Sequence, residues 1–375
     1  MFTIELLPAQ QGDAIWIEYG DAAAPSRILI DGGTPATADI IRARIEGLDP
    51  AQRRFDLLVV THIDTDHIGG ILKLLANRPA GLAFEDVWFN AWRHLQDKPS
   101  SQLGPVDGEI LSCALDRLKW PWNRAFDGAA VLAADDERIS SATLAGGMRL
   151  TIVSPTWTQL VKLRSEWASV VRDAGLDPGN PGRAAKLLQQ ATKKGVQGSI
   201  LGDAPLDVGS LAGRGFVADG STANGSTIAF LAEFEGKSCL LTGDAFPGVM
   251  VGALEHVLRA RGKGSLNVDA VKVPHHGSRY NVSDDFLSMV RSSRYLVPTS
   301  GAVFGHPDEE AMARIIFANR LTGSRLFFNY PKDHEPFTSR KTTWTAAKFD
   351  DLILQKKYLY STAYAAGGSG IILTL

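Results

Sequence analysis

Within six residues the chain offers two imidazoles and two carboxylates: His62, Asp64, Asp66 and His67, in the run Thr61-His62-Ile63-Asp64-Thr65-Asp66-His67-Ile68-Gly69-Gly70. Both side-chain types are good ligands for a divalent cation. The run Phe55-Asp56-Leu57-Leu58-Val59-Val60 before them is mostly apolar and reads as a buried strand. After them Ile68, Ile71, Leu72 and Leu75 recur at helical spacing. The polar residues therefore sit on a strand-to-helix turn, where side chains are exposed to a cleft. His62 and Asp64, two apart at a strand end, can point the same way, and Asp66 and His67 can face a second point as the chain turns into the helix. One metal could use the first pair and another the second. The competing account is a polar loop with an Asp helix cap; four ligand types this dense, closed by Gly-Gly, argue against it.

Further along, other polar groups arrive at strand ends in the same way. Ser238 to Leu241 reads as a strand that delivers Thr242-Gly243-Asp244, and Val268 to Val273 delivers Pro274-His275-His276-Gly277-Ser278. Paired histidines at a strand terminus can divide labour, one binding metal and the other contacting substrate. Gly305-His306-Pro307 precedes a helix that runs to about Arg320, with Pro307 at its first position, so His306 lies by a helix N-terminus where anionic groups are favoured. Near the start, Gln11-Gly12-Asp13-Ala14 and Asp31-Gly32-Gly33 follow strands. Alone, each of these is an ordinary turn.

Taken together, these runs resemble the metallo-β-lactamase superfamily motif His-x-His-x-Asp-His, with Asp64 in place of the second His. That variant, with Pro-His-His-Gly-Ser and Gly-His-Pro, resembles the hydrolase domain of ComEC-type competence proteins and their free-standing soluble relatives. The resemblance spans residues 1 to about 330 with gaps at two insertions. It implies an α/β fold, the αββα sandwich of two mixed β-sheets flanked by helices, and two-metal hydrolysis through a metal-bridged hydroxide. It assigns His62, Asp64 and Asp244, with Asn224 as a weaker oxygen ligand, to one metal. Asp66, His67, His275 and the shared Asp244 go to the other. Asp13 and Asp31 support the loops, and Asp66 also orients the nucleophile. His276 and His306, with Lys272 or Ser278, hold substrate oxygens or protonate the leaving group. Superfamily members usually place a His between the first loop and the bridging Asp; here Ala223-Asn224-Gly225-Ser226 stands at that position. A site short of imidazole and rich in oxygen shifts preference from Zn²⁺ toward Mn²⁺, and the metal stays open.

The other elements fit one domain over residues 1–375, with insertions at about 92–127 and 156–223. The pattern predicts helices over Ala36 to Leu48, Glu109 to Leu118 and Val249 to Arg261, a hairpin from Thr227 to Leu241, and closing strands around Arg325 to Asn329 and Ile371 to Leu375 that complete the second sheet. The second insertion reads as two helices, one on Leu160, Val161, Trp167, Val170 and Val171 and one on Ala184, Leu187, Leu188 and Ala191, separated by Asp177-Pro178-Gly179-Asn180-Pro181-Gly182. It is a lid candidate. Its basic excess, Lys162, Arg164, Arg172, Arg183, Lys186, Lys193 and Lys194, suits phosphates or, equally, a solvated helix face. His94, in the first insertion, reads as an ordinary histidine rather than a ligand.

The formal net charge of −2 excludes a global pull toward nucleic acid, so a nuclease needs a local basic patch. The two cysteines, Cys113 and Cys239, lie in apolar contexts and make no disulfide framework, which with the absence of a signal peptide or a membrane-length apolar run leads to the expectation of a cytoplasmic protein. The expected function is a phosphodiesterase, most of all a nuclease, with nucleic acid or another phosphodiester as substrate and no membrane partner. The alternatives are hydrolysis of a small ester, lactone or amide, and a metal-binding scaffold without catalysis. A basic groove beside the metals would favour the first, a deep apolar pocket the second.

Overall fold

A computed structural model of the chain describes residues 1–95, 106–133, 139–173, 206–338 and 345–375. Two mixed sheets lie face to face. The first runs, in spatial order, Ile371–Thr374, Phe2–Leu6, Ile15–Tyr19, Ser26–Ile30, Leu57–Val59 and Val87–Trp88. The second runs Tyr360–Tyr364, Ser324–Phe328, Arg294–Val297, Ala270–Lys272, Lys237–Leu241, Ala229–Phe234, Arg149–Ser154 and Ser141–Thr143. Alternation along the strands explains the layering. Ile15, Ile17, Ile28, Ile30, Leu57 and Val59 pack into the cluster shared with Leu150, Phe230 and Val271 of the other sheet. The intervening Trp16, Leu29, Leu58 and Val60 pack outward with Ile41, Ile45, Ile68 and Ile71 of two helices. Both faces of the central strands are thus covered, which is why they read as unbroken apolar runs. Each such side chain contributes about 1.5–3 kcal/mol on leaving water.

The predicted helices form at Ala38–Glu46, Val106–Leu118 and Pro247–Ala260, and the metal-loop helix at Thr65–Ala76. The Trp157–Asp173 helix buries Leu160, Leu163, Trp167 and Val171. Leu160, Leu163 and Trp167 join the outer cluster of the first sheet, and Trp167 meets Trp92 at 6.4 Å between ring centroids. This part of the expected lid is therefore core. The predicted second insertion helix and its preceding loop, with Arg183, Lys186, Lys193 and Lys194, lie outside the described residues.

One expectation is corrected. Ile371–Thr374 does not join the second sheet; it pairs antiparallel with Phe2–Leu6 and closes the edge of the first. The second sheet ends instead on Tyr360–Tyr364, parallel to Ser324–Phe328. A short run of alternating residues carries no signal for which edge it will choose, because its partner is set by the chain path.

Among the described residues no helix is long and apolar enough to cross a membrane.

Candidate metal centre

Loops at one end of the two sheets meet here, and backbone hydrogen bonds tie them together. Gly32 N donates to His67 O at 2.8 Å and Gly70 N to Gly33 O at 2.9 Å, fastening the Asp31 loop to the first turns of the Thr65–Ala76 helix. The approach needs glycine: a Cβ on Gly70 would lie 1.8 Å from Gly32 O. The two halves are joined by Ile228 N donating to Thr61 O at 2.9 Å, and His275 N donates to Gly243 O at 3.0 Å.

Asp31, fully buried, organises the first loop. Its carboxylate accepts from Thr61 N at 2.7 Å, from the Thr61 hydroxyl at 2.7 Å and from His67 Nδ1 at 2.8 Å. The Thr61 hydroxyl has spent its only proton on Asp31, so its 3.0 Å contact with His62 Nδ1 makes that nitrogen the donor. His67 Nδ1 is a donor for the same reason. His276 Nδ1 lies 2.8 Å from Pro298 O, which can only accept. Each of the three rings is thereby fixed as the Nδ1–H tautomer with Nε2 directed into the site, the arrangement that orients imidazoles toward a metal.

The Nε2 atoms converge on Asp244. Asp244 Oδ2 is 3.3 Å from His67 Nε2, 3.5 Å from His276 Nε2 and 3.6 Å from His275 Nε2. His67 Nε2 and His276 Nε2 face each other at 3.3 Å. Two lone pairs at that distance repel unless a proton or a cation lies between them. Ligand atoms of His62, His67 and Asp244 lie within 4.8 Å of one another, and so do those of Asp66, His67 and His276. His62 Nε2 and Asn224 Oδ1 are both buried and lack a hydrogen-bond partner. This donor set fits a divalent cation.

The electrostatics agree. Burial alone would raise the Asp244 carboxyl, but His67, His276, His275 and Lys272 hold it well below the usual range. Burial would lower the His276 imidazole; the Asp244 and Asp13 carboxylates overcome it and lift the group to about 9. His67 is raised too, by Asp244 and Asp31 against the effect of burial. Below those raised values a cation must displace protons to bind, so metal affinity should rise with pH between 6 and 9 with measurable proton release. Calorimetry in buffers of different ionisation enthalpy would show it; a pH-independent affinity would speak against these ligands.

Several expected roles change. His276, 1 % exposed, is the histidine of the pair that meets Asp66 and His67, while His275 stands nearer the surface, its side chain 24 % exposed, its ring 5.4 Å from that of His306. The reason is the backbone: both residues are left-handed, with φ of 46° and 54°, which turns the second ring inward. Lys272 does not face a substrate. It is fully buried behind Asp244, 2.6 Å from Asp13 Oδ2 and 3.4 Å from Asp244 Oδ1, and donates to Gly243 O at 2.7 Å. Asp13 also lies 3.3 Å from His276 Nδ1, so it buttresses both groups. Ser278, 1 % exposed, builds the turn by donating its N–H to His275 O and accepting from Tyr280 N. Asp64, its side chain 44 % exposed, reaches His62 Nε2 only at 3.6 Å and falls outside both groups. His306 has a buried Nδ1 without a hydrogen-bond partner, and burial with the neighbouring His275 and His276 pushes its pKa well down, leaving a neutral imidazole at the rim. His94 is buried and accepts from Ala91 N at 3.0 Å, away from the centre.

Residues that the sequence did not single out back the ligands: Thr61, the Pro298 carbonyl, Asp219 and Asn281. Asn281 Oδ1 lies 2.9 Å from His275 Nδ1, and Asp219 Oδ2 accepts from Asn224 Nδ2 at 2.7 Å and Asn281 Nδ2 at 3.1 Å. Only Thr61, adjacent to His62, carried a signal in its position.

Beside the first loop is a cleft of about 310 Å³ lined by Ile63, Asp64, Thr65, Val106, Asp107, Leu163, Glu166, Thr222 and Ala223. It is acidic and partly apolar, not a basic groove.

Residues 8–160 match the family model of the metallo-beta-lactamase superfamily. Among solved structures, a protein described as a metal-dependent hydrolase from Parabacteroides distasonis ATCC 8503 is similar at 10 % identity and a TM-score of 0.35, over 87 % of this chain and 92 % of that one. The metallo-beta-lactamase fold protein YhfI from Bacillus subtilis is similar at 10 % identity and a TM-score of 0.35, over 99 % and 98 %. No curated protein sequence matches the chain.

Proposed function

We propose that the chain, whose residues 8–160 match the metallo-beta-lactamase superfamily model, is a metal-dependent hydrolase that cleaves phosphodiesters. The observation that carries the hydrolase reading is the set of imidazoles with fixed tautomers, His62, His67 and His276, whose Nε2 atoms converge with Asp66 and Asp244. The phosphodiester reading rests on the resemblance of the motifs to those of ComEC-type hydrolase domains.

His62, His67, His276, Asp66 and Asp244 would hold the cations, with His275 Nε2, 3.6 Å from Asp244 Oδ2, and Asn224 Oδ1 as further donors. Bound divalent ions supply Lewis acidity that lowers the pKa of water and offsets charge on the attacked group. Asp66, only partly buried, is placed to orient the attacking water and take its proton. His306, neutral at the rim, is suited to hydrogen-bond a substrate oxygen. Lys272 and Asp13 keep Asp244 and His276 in place from behind.

The acidic cleft beside Asp64 favours a second reading. Its three carboxylates repel a polyanion, and its volume suits a small molecule, so hydrolysis of a small ester, lactone or amide is the competing activity. The test is to restore Mn²⁺ or Zn²⁺ to stripped protein and offer bis(p-nitrophenyl) phosphate, single- and double-stranded DNA, and RNA beside ester and lactone panels. Asp66→Ala serves as control. Metal-dependent phosphodiester cleavage lost in Asp66→Ala is the expected result. Turnover confined to the ester or lactone panel would replace the first reading by the second, and a metal-loaded protein inert on both would point to the scaffold.

A further inference from the structure

We propose that Asp219 is a positioning residue that sets the hydrogen-bond polarity of one whole side of the centre, leaving His275 Nε2 and Asn224 Oδ1 as free acceptors. The inference rests on the metal-centre reading above.

An ionised carboxylate only accepts. Asp219 Oδ1 takes the N–H of Ser221 at 2.9 Å, and Oδ2 lies 2.7 Å from the Asn224 amide and 3.1 Å from that of Asn281. Both asparagines must therefore present their NH₂ groups to Asp219. For Asn281, fully buried, this turns Oδ1 toward His275 Nδ1 at 2.9 Å, and its NH₂ also reaches Asp244 O at 3.3 Å. An amide oxygen accepts, so His275 Nδ1 is held as the donor and the lone pair falls on Nε2, 3.6 Å from Asp244 Oδ2. The Asn224 amide lies 3.4 Å from the same Nδ1, the longer and weaker contact, and does not reverse this assignment.

For Asn224 the same constraint turns Oδ1 away from Asp219. That oxygen is the buried atom without a hydrogen-bond partner, in a residue 4 % exposed. A buried carbonyl left unpaired is destabilising; a cation or a substrate hydrogen bond would offset that. One carboxylate thus orients two lone pairs without ligating anything itself. Its own backbone is anchored where it matters, with Asp219 N donating to Tyr280 O at 3.1 Å.

The test is metal affinity, read by competition of stripped protein with a chromophoric chelator for Mn²⁺ and Zn²⁺, with thermal unfolding in parallel. In Asp219→Asn an amide replaces the obligatory acceptor, and the asparagines are free to flip. Affinity should fall roughly 10–100-fold, the range for partners behind a metal ligand, with little change in unfolding temperature. The swap Asp219→Asn/Asn281→Asp returns an obligatory acceptor to His275 Nδ1 and should regain most of the loss. A purely structural role predicts no such rescue. Wild-type affinity in Asp219→Asn, or a double variant no better than the single, overturns the inference. Wild-type protein that binds neither ion would instead sink the metal-centre reading.

Discussion

Asp244→Asn is expected to cut metal affinity by at least about 100-fold and turnover by roughly 10²–10⁴-fold, with the fold retained. Asp244 Oδ2 is the common neighbour of three imidazole Nε2 atoms, at 3.3, 3.5 and 3.6 Å. An amide of the same shape removes the negative charge that draws cations to this point. It also introduces an NH₂, which cannot ligate. Asp244 sits at 2 % exposure in contact with Lys272, so deletion to Ala would mix loss of function with loss of packing, whereas Asn isolates the charge. Chelator competition and circular dichroism measured together would check this. Wild-type affinity in a folded Asp244→Asn protein would remove Asp244 from the centre.

The second large effect is on stability. Lys272→Met is expected to cost about 3–5 kcal/mol, read as a lower urea midpoint. Lys272 is fully buried, its ammonium 2.6 Å from Asp13 Oδ2. Burial would depress the lysine, but Asp13 and Asp244 keep its pKa raised and the group charged. Asp13 is in turn held low by Lys272 and His276 against its own burial. Methionine would fill the space but leave Asp13 a buried anion offset only by His276 at 3.3 Å. Removing that anion as well, in Lys272→Met/Asp13→Asn, should recover a large part of the loss. A single variant within 1 kcal/mol of wild type would show that the pair is not what holds the second loop in place.

These two effects mark what could be read from residues alone. The loop from His62 to His67 was legible because strand, ligands and helix follow each other within one turn, and local spacing alone brings them together. Asp31, Asp244 and the His275-His276 pair were legible as polar groups at strand ends. Which histidine turns inward was not. It depends on left-handed backbone at both positions, and nothing in Pro-His-His-Gly-Ser states that the strain falls there. Lys272 was misplaced because a lysine beside a ligand loop suggests a substrate contact, and only the packed sheet shows it sealed behind Asp244. Asp219 and Asn281 lay hidden because the contact that joins them spans 62 residues of chain. The αββα layering was implied by the family resemblance, and the alternation of strands with helices agreed with it; the sheet joined by Ile371–Thr374 is a property of the closed chain path.

A divalent cation held among His62, His67, His276, Asp66 and Asp244 is the core of the proposed chemistry. The most direct test is a crystal of the Mn²⁺-loaded protein measured at a wavelength where manganese scatters anomalously. The predicted result is a peak within about 2.0–2.3 Å of the ligand atoms of His62, His67 and Asp244, or of Asp66, His67 and His276. A peak bound elsewhere, or none at saturating Mn²⁺ and then Zn²⁺, would contradict it.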